Sequence, residues 1–171
     1  MPQVSSEVVW YALRTRSRHE KAVRDRLASK GIEPLLPVVK KMSQWKDRRK
    51  KIEVPLFSGY CFARFSWNER LPVLEVPGVS DIVGQSDVPE AVPDQEIAAL
   101  KRLMETTLPF DSHPFLEEGT SVEVIRGPLR GLRGILVKKL NCFRLVISVH
   151  LIKKAAAVEI DASSVVSVSA N

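Results

Sequence analysis

The side chains with the clearest chemical capacity are cationic and aromatic. Arg14, Arg16, Arg18, His19, Lys21 and Arg24 crowd the end of an apolar run and the segment after it, and Lys46, Arg48, Arg49, Lys50 and Lys51 form a second cluster. Such groups attract phosphate electrostatically, with an affinity that falls as salt rises. Phe57, Tyr60 and Phe62 follow as an aromatic cluster around Ser58-Gly59. Catalytic chemistry finds little to work with: His19, His113 and His150 are scattered, and neither a Cys-x-x-Cys nor a His-x-x-x-His spacing offers metal ligands. A Gly-x-x-x-x-Gly-Lys-Ser/Thr phosphate loop is missing too, so the expectation is a non-enzyme with no metal and no cofactor. Cys61 and Cys142 lie far apart inside strand-like runs, which suits buried free thiols better than a bridge, and Cys61 reads as a small hydrophobe rather than a nucleophile.

Where the charge sits says more than its sum of +6. Residues 1–51 hold fourteen Lys/Arg against five Asp/Glu, residues 52–115 hold four against ten, and residues 116–171 hold eight against five. A polyanion feels the local field, so the basic N-terminal third is compatible with nucleic acid on one face, with solvated surface charge as the plainer alternative. The 171 residues suffice for a domain of about 100 residues and a module of about 60. With 44% hydrophobic and 27% charged residues the chain is expected to be soluble and globular. No apolar run approaches a membrane span, and the segment from Met1 to Val9 lacks the basic and apolar regions of a secretory signal, so a cytoplasmic address is expected.

These side chains need elements to position them. Val8 to Leu13 reads as a central strand, and Ser17-Arg18-His19-Glu20 has the spacing of a capping box opening a short basic helix that Gly31 stops. Leu35 to Trp45 and Ile52 to Phe65 read as one long β-hairpin with the Lys46–Lys51 cations at its tip. A short helix over Asn68 to Val76 and a strand over Asp81 to Gly84 follow. Ile97, Leu100, Leu103, Met104 and Leu108 recur every three or four residues, predicting a helix capped by Pro93-Asp94 and ended by Pro109. Thr107 to Glu118, rich in Pro and polar residues and without periodicity, reads as a linker. Beyond it, Val122 to Ile125, Gly134 to Lys138, Phe143 to His150, Ala155 to Ile160 and Val165 to Val168 predict five short strands, hence a small barrel.

The stretch Val122-Glu123-Val124-Ile125-Arg126-Gly127-Pro128-Leu129-Arg130-Gly131-Leu132-Arg133-Gly134-Ile135-Leu136 resembles a KOW motif. Trp10-Tyr11-Ala12-Leu13, Glu20-Lys21, Pro55-Leu56-Phe57-Ser58-Gly59-Tyr60-Cys61-Phe62, Pro77-Gly78-Val79 and Val92-Pro93-Asp94 resemble, in that order, the NGN domain of NusG-type transcription factors. Within that superfamily, Arg18-His19-Glu20-Lys21, the basic hairpin tip and Ala156 to Asp161 look more like the specialised UpxY and RfaH antiterminators than like housekeeping NusG. The resemblance implies an α+β fold: an NGN domain of antiparallel sheet with helices over 1–106, a linker over 107–118, and an SH3-like β-barrel KOW domain over 119–171.

The same resemblance implies a cytoplasmic, monomeric transcription elongation and antitermination factor without a membrane partner. It would bind RNA polymerase at the β′ clamp helices, opposite the β gate loop, and suppress pausing and termination. Exposed Phe57 and Tyr60 would anchor the clamp, each burying large area for few lost rotamers, with Phe62, Trp10, Ile97 and Leu100 as neighbours. Ser58 stands where the family has proline, which removes a rigid turn. Arg14, Arg16, Arg18, His19, Lys21 and Arg24 would hold the non-template DNA strand of the transcription bubble, and Arg48 and Arg49 nucleic acid nearby. The family's Ile-Phe-Gly-Arg partner loop aligns with Leu151, Ile152, Lys153 and Lys154, so the aromatic anchor is lost; Rho is disfavoured as a partner, while a small-subunit ribosomal protein stays open. The alternatives are a general NusG-like elongation factor and a ribosome-associated RNA-binding KOW protein.

Overall fold

In this computed structural model, residues 6–85, 88–116 and 118–168 are described. The first five and last three residues of the two expected domains, and Glu117 of the expected linker, lie outside the described residues. The elements run Val8–Thr15 (β1), Glu20–Ser29 (α1), Glu33–Leu35 (β2), Val38–Trp45 (β3), Arg48–Pro55 (β4), Tyr60–Ser66 (β5), Arg70–Leu74 (α2), Val79–Ile82 (β6), Gly84–Gln85 (β7) and Val88–Pro89 (β8). They continue Asp94–Glu105 (α3), Phe110–His113 (β9), Thr120–Val124 (β10), Arg133–Lys139 (β11), Cys142–Val149 (β12), Lys154–Ile160 (β13) and Val165–Ser167 (β14). Internal contacts divide the chain into two compact units, Met1–Asp94 and Gln95–Asn171.

In the first unit β1 is central because its apolar residues face both ways: the sheet order is β2-β5-β1-β6, and β1 pairs antiparallel with β5 from Val8↔Ser66 to Arg14↔Tyr60. Residues opposite one another share a face. One face therefore carries Tyr11, Leu13, Cys61, Ala63 and Phe65, which pack with Val23 and Leu27 of α1 and Val73 of α2 into a buried core. The other carries Trp10, Ala12, Arg14, Tyr60 and Phe62. Helix α1 stops as expected, with Gly31 at φ +75° and the Ile32 N–H donating to the Leu27 carbonyl at 3.0 Å.

Two local expectations are corrected. The capping box does not form: α1 begins at Glu20, the flanking His19 makes no side-chain cap, and Arg18 takes the left-handed φ of 65°. The expected single strand from Ile52 to Phe65 is two, since β4 pairs with β3 in a separate ribbon and β5 joins the central sheet. Leu56 to Gly59 makes the break, with Gly59 at φ +82°. The hairpin turn is only Lys46-Asp47, so Arg48, Arg49, Lys50 and Lys51 lie in a strand rather than in a loop.

In the second unit the antiparallel order is β14-β10-β11-β12-β13-β9. The five expected strands are present and a sixth joins them: Phe110–His113, inside the segment expected to be linker, pairs with β13 from Ala155↔His113 to Val158↔Phe110. Backbone pairing there needs no apolar periodicity, which is why composition missed it. The ladder does not close among the described residues, because β14 and β9 are edges that do not pair with each other. Close approach explains Gly134: a Cβ there would run into the Val146 carbonyl oxygen. Helix α3 starts at Asp94 as expected but ends at Glu105, before Leu108 and the expected stop at Pro109, and the boundary between the two units falls after Asp94 rather than near residue 106. Its Arg102 Nη2 donates to the Pro128 and Arg130 carbonyls at 2.7 and 3.1 Å, and Glu96 Oε1 lies 2.6 Å from His150 Nδ1.

Candidate polymerase and nucleic-acid interface

Five residues at one end of the central sheet are tied together by hydrogen bonds. The Gly59 N–H donates to Glu20 Oε1 at 2.9 Å, the Thr15 N–H donates to the Gly59 carbonyl at 2.8 Å, and the Tyr60 N–H donates to the Phe57 carbonyl at 3.2 Å. Glu20 is buried, so its carboxylate is spent on the 57–60 turn rather than on capping its own helix. Substituting it strands a turn N–H at a partly buried position, which is costly. The aromatic turn and the basic segment between β1 and α1 are thereby clamped together across the 39 residues that separate Glu20 from Gly59. From sequence, Glu20 pointed to a cap; no local signal marks its partner as Gly59.

Arg14 shares this end of the sheet. Its guanidinium hydrogen-bonds the Tyr60 side chain and pairs with Asp81 at 3.2 Å, and both interactions raise its pKa above the ordinary arginine value. Arg24 pairs with Asp25 at 3.0 Å, and His19 Nδ1 lies 2.9 Å from the Ser17 carbonyl oxygen. Arg16, Arg18 and Lys21 are exposed and have no acidic partner among the described residues. Their loop is fixed by the backbone, with the Arg16 N–H donating to the Gly78 carbonyl at 2.8 Å. Gly78 is required there, at φ +103° with the Val23 side chain 2.8 Å from where its Cβ would stand. Of the six cationic positions expected to meet DNA, Arg16, Arg18 and Lys21 thus keep exposed charges, while Arg14 and Arg24 already face local carboxylates.

The aromatic half of the site is less exposed than expected. Phe57 is 4% exposed, and Trp10, Phe62, Ile97 and Leu100 are all buried. Trp10, Phe62 and Tyr60 do share one sheet face, but the half-buried Tyr60 is the accessible member of the set. Apolar side chains on both faces of β1 and β5 are consumed by packing, which composition alone does not distinguish from display. Arg48 and Arg49 are exposed on β4. In the second unit Leu151 is half-buried, Ile152 is buried, and Lys153 and Lys154 are exposed, with Lys153 at φ 50°. Ile152 is thus a packing residue rather than a displayed apolar contact.

Burial pushes the Cys61 thiol up to about 12, and its Sγ lies 3.7 Å from the Leu35 carbonyl oxygen. Both cysteines are free, Cys61 buried and Cys142 only half-buried. A thiol reagent at pH 8 should therefore label Cys142 in the native chain and spare Cys61 until denaturant is added, with mass spectrometry of the two peptides as the readout. Equal native labelling would contradict this core. No group of three or more His, Cys, Asp or Glu side chains gathers among the described residues, and among them no helix is long and apolar enough to cross a membrane.

A cationic loop clamped beside an aromatic turn, on an antiparallel sheet backed by helices, makes up an α+β unit. The family model described as "NusG: Transcription termination factor nusG" matches residues 8–101, more than half of the chain and past Asp94 into α3, and the chain belongs to that family. It is a family of transcription factors, and no enzyme family is indicated. Among solved structures the chain is similar to Thermotoga maritima NusG, from a study of its domain interaction, at 20% identity and a TM-score of 0.57 over 95% of this chain and 98% of that one. It also matches an MjSpt4:Spt5 complex in conformation B at 20% identity, covering 94% of this chain and 97% of that one, with a TM-score of 0.32. A comparison with curated protein sequences finds no match. The Thermotoga likeness bears on the fold alone.

Proposed function

We propose that this chain is a transcription elongation and antitermination factor that docks on RNA polymerase through its N-terminal unit and suppresses pausing and termination. The observation that carries the reading is the clamp of Glu20 and Thr15 on Gly59, which fixes the Tyr60 turn against the Arg16–Lys21 loop. A surface so built can contact protein with Tyr60 and a phosphate strand with the neighbouring cations at once. The proposed partners are the β′ clamp helices for the turn, with the β gate loop opposite, and the non-template DNA strand for Arg16, Arg18 and Lys21. Bridging the two jaws disfavours clamp opening, so elongation continues through terminators.

The N-terminal unit together with α3 is read as an NGN domain, in keeping with the reach of the family match. The six-stranded C-terminal sheet is read as an SH3-like KOW module. Its Leu151 to Lys154 corner, with two exposed lysines, is the proposed contact for a small-subunit ribosomal protein. The factor is placed in the cytoplasm, acting as a monomer, and the UpxY and RfaH resemblance assigns it to particular operons rather than to all transcripts.

The test is binding of the full chain to a reconstituted bacterial elongation complex, together with readthrough of a terminator placed downstream. Tyr60→Ala is expected to weaken binding about ten-fold or more, as loss of a central aromatic anchor does, and to reduce readthrough in step. Wild-type chain that binds without raising readthrough would favour a general elongation role. A folded chain that does not bind at all would leave the ribosomal RNA-binding alternative.

A further inference from the structure

The β3–β4 ribbon stands apart from the central sheet and carries a residue that the polymerase reading leaves unused. Trp45, the last residue of β3, is 72% exposed, far more than a tryptophan with a packing role. Its register partner is Arg48; the pairs Ser43↔Lys50 and Lys41↔Ile52 continue the same face two and four residues back. That face thus presents an indole ring followed by Arg48, Lys50 and Lys41, all exposed, and it contains no acidic residue. The acids of the ribbon are elsewhere: Asp47 lies in the turn, and Glu53 is on the opposite face, paired with Lys40. The Lys46 ammonium sits 5.5 Å from the Trp45 ring centroid, which puts one more phosphate-seeking charge beside the ring. Lys46 takes a left-handed φ of 50°, so the turn holds a non-glycine residue where glycine is the relaxed choice.

We propose that this face is a stacking platform for an unpaired nucleic-acid strand, with Trp45 stacking on a base at the tip and Arg48, Lys50 and Lys41 tracking the phosphates along the ribbon. Aromatic rings interleaved with cations along one groove or strand are what sequence-tolerant single-strand binding requires, since every base offers a π-face. Side chains two apart on a strand recur every ~6.8 Å, which separates Arg48 from Lys50 on β4; Lys41 stands one such step further along, on β3 across from Ile52, so the three cations spread along the ribbon rather than forming a point charge. An apolar protein partner fits less well, because Trp45 and Ile52 are the only exposed large apolar residues on that face among the described residues, and cations separate them. The proposal deepens the nucleic-acid reading of Arg48, while Arg49 lies on the opposite face, and it is independent of polymerase docking.

The experiment uses the full chain without polymerase and titrates it with 20-nucleotide single-stranded DNA, the same sequence as RNA, blunt duplex DNA, and a duplex with a single-stranded fork. Tryptophan emission is the readout, because Trp10 is buried and Trp67 is half-buried against Tyr11, whereas Trp45 is open. Single strands and the fork are expected to quench the emission and blunt duplex to quench it little, with the DNA and RNA arms identifying which strand is preferred. Trp45→Ala is expected to remove the quench and lower single-strand affinity roughly ten-fold or more without changing the salt slope, and Trp45→Phe to restore the affinity but not the signal. Paired Arg48→Glu and Lys50→Glu substitutions are expected to flatten the salt slope. If Trp45→Ala binds like wild type while the charge reversals weaken binding, the stacking platform is overturned and the cationic reading survives; if no oligonucleotide binds, both fall.

Discussion

Replacing Phe57 by alanine should destabilise the chain by about 3–5 kcal/mol, the cost of truncating a buried phenylalanine and leaving a cavity behind. Phe57 is 4% exposed, and its carbonyl receives the Tyr60 N–H, so the side chain is set into the fold while its backbone closes the turn that displays Tyr60. Urea unfolding of the full chain followed by circular dichroism checks the figure. The expectation matters for any functional assay, because Phe57→Ala would lower polymerase binding by depleting folded protein, whereas Tyr60→Ala acts on a half-buried residue and should leave the urea midpoint nearly in place. A Phe57→Ala chain as stable as wild type would mean that Phe57 is displayed in solution, and both aromatics would then be contact residues. The two substitutions must therefore be measured separately, since a double variant confounds folding with recognition.

The relation between sequence and structure at this site follows from range. Elements whose signal is local were legible: the apolar run of Val8 to Leu13, the Gly31 stop, the three-and-four spacing of Ile97, Leu100 and Met104, and the Val/Ile runs of the C-terminal sheet fold as their patterns predict. What failed depended on partners distant in the chain. Glu20 has the spacing of a cap, but Gly59 offers its N–H at 2.9 Å and takes the carboxylate. The segment from Ile52 to Phe65 reads as one strand by its apolar content, although Pro55 and Ser58-Gly59 are turn residues and mark where the chain changes sheet between Leu56 and Gly59. Phe110–His113 has no pattern of its own and becomes a strand because β13 presents an open edge to it. Site composition was legible to the level of basic loop and aromatic turn; which cations are already engaged, and which aromatics are buried, required the pairing of Arg14 with Asp81 and the burial of Phe57.

That division of the cations gives the second large effect. Arg16→Glu, Arg18→Glu and Lys21→Glu together should cost the elongation complex about 100-fold in affinity at 0.1 M salt, because three phosphate contacts to a single strand change the log–log salt slope by about 2. Arg14→Ala and Arg24→Ala should each change the slope little, since their guanidinium groups already face Asp81 and Asp25 at 3.2 and 3.0 Å. The triple variant should stay folded: all three side chains are exposed, and the loop is held by the Arg16 N–H on the Gly78 carbonyl, a bond that side-chain replacement leaves intact. Affinity measured across a potassium chloride series, with circular dichroism of each variant, separates the outcomes. An unchanged slope in the triple variant, or a slope that falls as much for Arg14→Ala, would place the DNA strand elsewhere on the unit and leave the ribbon face of Arg48 and Lys50 as the remaining cationic track.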